Sequence, residues 1–380
     1  MRVIVVGAGI VGAACAYTAA GLGAQVTLVD AGRPGQATAA GAGIICPWTA
    51  AVDDPSWYDF ACAAARQYPS LIAELADLGE ADVSYRQVGA LLVADDAGHL
   101  DQAQKRLIDR RAAAPEIGDV QILTSAQARE LFPPLKSGLK ALHIAGAARV
   151  DGRRLAAALT RAAANHGATT KQGTTTKQGT MTRQGTAHLA IRANRVTGVT
   201  IDGELVEADA VVAAAGAWTA EFLAPAGATI RVAPQRGQIA HFGLGSADTS
   251  RWPVILPTAT GHYLLAFDDS RVVAGATRET GSGFDARVTA AGLAEVLANA
   301  LAVAPGLGTA THLETRVGLR PASPDARPLL GPVPGLDGLV VATGLGASGL
   351  TMGPYAGAVA ARSALGLPPQ LDLTPFNPLR

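Results

Sequence analysis

The stretch VIVVGAGIVGAACAYTAAGLGAQVTLVD at residues 3–30 decides the reading of this chain. Val3 to Val6 is a short β-branched run stopped by Gly7, the pattern of a buried parallel strand. Ile10 to Ala20 has helical character and is closed by Gly21 and Gly23. Gln25 to Val29 is a second β-branched run, ended by Asp30. Inside this strand–turn–helix–strand unit Gly7, Gly9 and Gly12 form G-x-G-x-x-G. Gly7 permits the tight turn, Gly9 lets backbone N–H groups approach a pyrophosphate, and Gly12 lets the helix sit close to the strand. The helix N-terminus offers unpaired N–H groups and a partial positive charge to the phosphates. Asp30 stands where a carboxylate accepts from ribose hydroxyls. The unit therefore reads as a dinucleotide site. Its glycine spacing serves NAD and FAD alike and does not choose between them.

The rest of the composition bounds the partners. Length, 380 residues, argues for two to three domains, and 49% hydrophobic with 16% charged residues is the balance of a folded chain. Lys plus Arg and Asp plus Glu are both 31, so the net charge is zero, and aromatics are 4%. Neither electrostatic capture of nucleic acid nor a base-stacking platform fits that balance. Cys15, Cys46 and Cys62 are odd in number and form no CxxC pair, which favours a reducing compartment. Arg2 and the apolar run after it imitate a secretory signal. The three glycines interrupt the run, however, and a second apolar segment comes after it. No stretch reaches the ~18 apolar residues of a membrane span. The expectation is a cytoplasmic protein, with peripheral membrane contact and oligomerisation left open. His241, His262 and His312 make no zinc pattern, so no metal is expected.

Beyond Asp30 the pattern predicts a helix over 53–78 broken or bent at Pro69, and a strand over 89–94. Polar helices are expected over 101–113 and, weakly capped, over 125–131. Asp151 caps a further helix over 151–164, with Gly167 past its end. Residues 169–186 repeat as TTKQGT, TTKQGT, MTRQGT, a period too short for a solenoid. They read as a strand-and-turn extension or a solvated loop in a tolerant connection, with Lys171, Lys177 and Arg183 in solvent. Asp202–Gly203 marks a hairpin, 208–214 is a buried strand, and 231–242, 254–255, 263–267 and 271–275 are consecutive strands of an antiparallel sheet. A helix over 289–303, a strand over 339–342, a loop over 343–349 and a helix from about Pro354 to Leu365 complete the chain.

Five blocks in order resemble the FAD-dependent D-amino acid oxidase/dehydrogenase superfamily, especially its glycine oxidase and bacterial D-amino acid dehydrogenase branches. They are VIVVGAGIVG (3–12), TAAGAG (38–43), ADAVVAAAGAW (208–218), VGLRPASPDARPLLG (317–331) and VVATGLGASGLTMGP (340–354). The resemblance implies an α/β fold: a Rossmann-like FAD-binding domain (1–82, 141–220 and 316–380) interrupted by an α+β substrate domain with an antiparallel sheet (83–140 and 221–315). It implies FAD on Gly7, Gly9, Ile10, Val11 and Gly12, with its ribose on Asp30 and Ala31 and Arg33 beside it. Thr38, Ala39, Gly41, Gly43 and Ile44 resemble the loop over the diphosphate, where Thr38 replaces the usual Ser and Gly41 a common Asn. Gly216 and Trp218 resemble a second ADP contact. Gly344, Gly346, Ala347, Ser348, Gly349, Leu350 and Thr351 resemble the segment along the flavin ring.

By the same resemblance Arg320 grips the substrate carboxylate, a task suited to a planar guanidinium, and the Tyr263 hydroxyl shares it. Otherwise Arg320 is an ordinary surface or ion-paired arginine and Tyr263 a core aromatic of a strand. His262 should face away from Tyr263. The implied reaction is hydride loss from Cα to the flavin, giving an imine and then an oxo acid and ammonia, with no general base assigned. Leu345, Ala347 and Ser348 stand where the family has His or, in glycine oxidases, Arg-Asn, which removes a second arginine from that loop, disfavours a tight glycine or sarcosine pocket and leaves room for a larger side chain. With no Cys after Cys62 and no His before His99, the FAD should be noncovalent. N-substituted or cyclic amino acids are the rival substrates to primary D-amino acids. Oxygen, a quinone or another carrier would accept the electrons. An NAD-dependent dehydrogenase and a flavin-storage module without turnover are the other readings.

Overall fold

The computed structural model describes residues 1–50, 52–166 and 180–380. The strand Arg2–Val6 lies between Gln25–Asp30 and Ala210–Ala213, parallel to both. Leu339–Thr343 extends this sheet in parallel and Leu329–Pro332 closes that edge antiparallel, giving six strands with Met181–Gln184 at the other edge. The strands read as continuous apolar runs because both faces are covered. One face packs on the glycine-turn helix Ile10–Gly21 and the last helix Gly349–Ala364, the other on a separate apolar cluster that includes the hairpin residues Val199 and Ile201. The two helices touch backbone to backbone. A methyl group on Gly357 would lie 2.7 Å from Cys15 N and collide with Val11 O.

The second large sheet has nine strands and carries the four segments expected in it, now bounded as Ala233–Gly243, Val254–Pro257, Tyr263–Phe267 and Arg271–Gly275. It also takes in Ala90–Ala94, which pairs in parallel with Val254–Pro257. The strand Thr311–Ala322 is an addition to the sequence reading. It forms the longest ladder of the sheet, antiparallel to Ala233–Gly243, with Gln235 opposite Arg320. Its residues THLETRVGLRPA place Leu313, Val317 and Leu319 on alternate positions between Glu314, Arg316 and Arg320, a period-2 signal that the sequence reading passed over. Lys140–Ile144 and Thr311–Ala322 both belong to this sheet and cross the limits at 141 and 316 of the proposed domain division.

Several local expectations change. Pro69 breaks nothing: Pro55–Asp77 is one helix. Burial of Trp57, Phe60, Tyr68 and Leu75 along it, each worth about 1.5–3 kcal/mol, outweighs the ~3 kcal/mol cost of an interior proline. The last helix begins at Gly349, not near Pro354, which lies inside it. Proline cannot donate to Leu350 O four residues back, and the Tyr68 hydroxyl donates to that carbonyl instead. The helix Ser125–Leu131 does have a capping box, one residue earlier than Ser125: Thr124 Oγ1 accepts from Gln127 N and Gln127 Oε1 from Thr124 N. Asp151 caps Gly152–Asn165 as expected, accepting from Arg153 N and Arg154 N. The hairpin at Asp202–Gly203 is also present, with φ of 50° and 91° there.

Gly167 and the repeat from 169 to 179 lie outside the described residues. The third repeat unit is a strand, Met181–Gln184, aligned with Thr27–Asp30, and Arg183 pairs with Glu204 at 2.6 Å. No helix among the described residues is long and apolar enough to cross a membrane.

Candidate active site

A cavity of about 280 Å³ runs between the C-terminal ends of the parallel strands and the nine-stranded sheet. Its first wall is the glycine turn. Gly7 has φ of 106° and donates its N–H to Val29 O at 2.7 Å, while any side chain there would strike Ala214. Gly12 does not line the cavity; a methyl group on it would collide with Gly7 O, so it serves the close helix–strand packing. The first turn of Ile10–Gly21 has no cap from Gly9, and Thr38 Oγ1 accepts from Ile10 N at 2.9 Å. Thr38 thus tethers the loop 38–43 to the helix end that faces the cavity.

Asp30 lines the cavity and is already engaged by protein donors. Its Oδ2 accepts from Ala8 N at 2.6 Å, and its Oδ1 from Gly32 N at 2.7 Å and Gln36 Nε2 at 2.8 Å. A carboxylate has about four acceptor positions, so Asp30 braces the turn and keeps one position for a ligand hydroxyl. Arg33 forms a two-pronged pair with Glu221 at 2.8 Å and lies 5.9 Å from the Trp218 ring, which stacks on Phe284.

The middle of the cavity is walled by glycines. Gly216 (φ 56°), Gly346 (φ 52°) and Gly349 all line it, and a methyl group on any of them would meet nothing within 4 Å. The Gly216 carbonyl is fixed by the Thr219 and Thr343 hydroxyls, both at 2.8 Å. Open space before three bare backbone segments suits a flat ring, and the helix end suits a diphosphate. The residues present therefore fit a flavin dinucleotide.

Arg320 and Tyr263 form the far wall, from different strands of the nine-stranded sheet. Arg320 Nη1 donates to Thr277 O at 2.9 Å, and its guanidinium lies across Gly237, where a side chain would displace it. Among the described residues Arg320 has no salt-bridge partner. Burial lowers its pKa, with Tyr263 acting upward. Burial also pushes the Tyr263 phenol up, against the downward pull of Arg320 and Arg278, so it stays a donor. The nearby Glu279 would rise by burial, but hydrogen bonds from Arg236, Thr277 and Gln238 hold it below the ordinary value. His262 turns away as expected, with Nε2 3.3 Å from Glu295 Oε1.

Of the residues proposed from the sequence, Gly12, Ala39, Gly344, Ser348 and Thr351 do not line the cavity; the others do. Thr351 instead donates its hydroxyl to Ile44 O at 2.9 Å, and Ala39 O accepts from Arg153 Nε at 2.7 Å. Gly344 has φ of 76° beside Leu329 N, a turn that brings Leu345 and Gly346 to the wall. Two of the contributions that were missed bear on the site's chemistry. Gly185 and Thr186 at the end of the repeat, with Ala187 and His188 next to them, line the cavity, and so does Arg278. The order of Thr277 and Arg278 along the chain was visible, but no spacing rule links them to Arg320.

The model of the family described as "FAD dependent oxidoreductase" matches residues 2–363. The chain belongs to this family of FAD-dependent oxidoreductases. Membership decides the choice between FAD and NAD that the glycine turn left open, and it makes the chain an enzyme. Several relatives match end to end. The uncharacterized oxidoreductase YurR of Bacillus subtilis (strain 168) is 47% identical over 376 residues, covering 99% of this chain and 98% of that one. Glycine oxidase of Pseudomonas aeruginosa is 32% identical over 379 residues, with 99% and 98% covered. The crystal structure of iminodiacetate oxidase (IdaA) from Chelativorans sp. BNC1 superposes with a TM-score of 0.93 at 48% identity, covering 99% of both chains.

Proposed function

We propose that this enzyme oxidises the C–N bond of a small N-substituted amino acid of the glycine type. The observation that carries the reading is the Arg320 guanidinium, without a salt-bridge partner among the described residues, beside the Tyr263 hydroxyl at the end of a glycine-walled cavity. An unpaired guanidinium withdrawn from water favours an anion, and its planar fork matches a carboxylate. Tyr263, held protonated, donates to the same group. Anchored there, the substrate lies with Cα and nitrogen toward Gly216, Gly346 and Gly349. FAD, when bound, supplies the two-electron acceptor that takes hydride from Cα. The amine proton leaves to water, and hydrolysis of the imine gives an oxo acid and the smaller amine. The chain supplies orientation, and no side chain is assigned as a general base. Cys15, Cys46 and Cys62 are buried and do not line the cavity, which supports a noncovalent cofactor.

The glycine-type, N-substituted substrate is favoured by the likeness to iminodiacetate oxidase and glycine oxidase. Primary D-amino acids are the second reading, favoured by Leu345 and Ala347, which put no charge into the wall near the ring. The deciding experiment is anaerobic bleaching of the flavin by iminodiacetate, N-methylglycine, glycine and both enantiomers of a panel of amino acids, repeated with air and with a dye acceptor. Bleaching by the N-substituted glycines is the expected result. Bleaching by primary D-amino acids alone selects the second reading, and no bleaching by any of them refutes both.

A further inference from the structure

We infer that Arg278 forms a second anion subsite in this cavity, so that the amino acid oxidised here carries a second carboxylate. This rests on the reading of Arg320 as the clamp for the reacting end. Arg278 lines the same cavity and is exposed to it, and among the described residues it makes no salt bridge. Its guanidinium lies against Gly261, where a methyl group would stand 3.3 Å from Nε, so a bare backbone segment sets its position. The peptide that joins it to Thr277 presents the carbonyl that accepts from Arg320 at 2.9 Å. The Arg278 charge acts on both Arg320 and Tyr263, pulling each pKa down, so the two cations are neighbours.

The acids around them are already paired. Glu279 accepts from Arg236 at 2.6 Å, Gln238 at 2.7 Å and Thr277 Oγ1 at 2.6 Å. Asp285 pairs with Arg236 at 2.9 Å and Arg287 at 3.0 Å. Two arginines and two acids balance in that network, which leaves Arg278 and Arg320 as two uncompensated positive charges at one end of the cavity. Like charges so placed repel until an anion reaches them, and a ligand with two carboxylates compensates both. The second carboxylate sits either on the nitrogen substituent, as in iminodiacetate, or on a side chain, as in an acidic amino acid. The chemistry is the same, and a comparison of acidic and neutral amino acids separates the two sources.

Glutarate matches iminodiacetate with a methylene in place of the amine and cannot be oxidised at a C–N bond; butyrate lacks its second carboxylate. Titrated into the FAD-loaded protein and followed by the visible flavin spectrum, glutarate should bind at least about tenfold more tightly than butyrate, the worth of one charge-assisted contact. Arg278→Gln should bring glutarate to the level of butyrate and leave butyrate within about twofold, and Arg278→Lys should recover part of the loss. In turnover, Arg278→Gln should raise KM for iminodiacetate about tenfold or more at little-changed kcat and spare N-methylglycine. If D-glutamate bleaches the flavin faster than D-norvaline, and only in the presence of Arg278, the acid group is on a side chain. Equal binding of glutarate and butyrate by the unaltered protein, or equal weakening of both by Arg278→Gln, overturns the inference while the oxidation of N-substituted glycines stands. Failure of either acid to bind, with no turnover, refutes the Arg320 reading and this inference with it.

Discussion

At one end of the cavity the wall is backbone, and at the other it is side chain. Gly7, Gly9, Gly216, Gly346 and Gly349 present bare peptide groups at the ends of parallel strands and helices. Arg320 and Tyr263 project instead from two strands of the nine-stranded sheet and Arg278 from the connection after a third, and each is set by what lies beneath it: Gly237, Gly275 and Gly261. A backbone site is specified by where side chains are forbidden. A side-chain site is specified by strand register and by the charges left unpaired. The first should respond to added bulk and the second to lost charge.

The largest effect should come from Gly12→Ala. Its methyl group would collide with Gly7 O, a backbone atom that cannot step aside. The expected cost exceeds about 4 kcal/mol, seen as loss of bound flavin and of a cooperative melting transition. A holoprotein of unchanged Tm would show that the turn can open.

Acid should act on the sheet end. His241 is buried in Ala233–Gly243, and its pKa is lowered to about 3, first by burial and then by Arg316 and Arg271, against the upward pull of Glu314. The folded pKa lies below the unfolded one, so the unfolded chain binds the extra proton. The stability this group contributes is complete above about pH 6.5 and is lost as pH falls toward 3, at up to about 1.4 kcal/mol per pH unit. His241→Gln should flatten that part of the pH–stability curve; a curve of unchanged slope would assign the acid sensitivity elsewhere.

A smaller effect is expected from Tyr263→Phe. Removing one donor from a carboxylate still held by Arg320 should lower kcat/KM by about 5- to 20-fold, or about 1–2 kcal/mol, with flavin content unchanged. No change would make Tyr263 a packing residue of the strand.

The same contrast explains what could be read from the sequence. Glycine spacing, β-branched runs and Asp30 disclosed the parallel sheet and the turn because backbone constraints are local. Arg320 and Tyr263 came from a resemblance. The long strand beneath Arg320 did not emerge, although Leu313, Val317 and Leu319 alternate with charges, because Thr315 interrupts the apolar series and Pro321 is a poor strand residue. Arg278 stayed hidden because Arg320 lies 42 positions further along the chain and reaches it only in the fold, where it donates to the carbonyl of the preceding Thr277. The bracing role of Asp30 was equally hidden, as it depends on the direction in which Ala8 N and Gln36 Nε2 point.

Arg320 is the residue on which the proposed chemistry depends, and the most direct measurement is the anaerobic rate at which iminodiacetate bleaches the flavin of the unaltered protein and of Arg320→Ala. The expected result is full flavin occupancy in both, with kcat/KM lower by about a hundred- to a few thousandfold in the variant, or about 3–5 kcal/mol. Equal rates in the two proteins would contradict it.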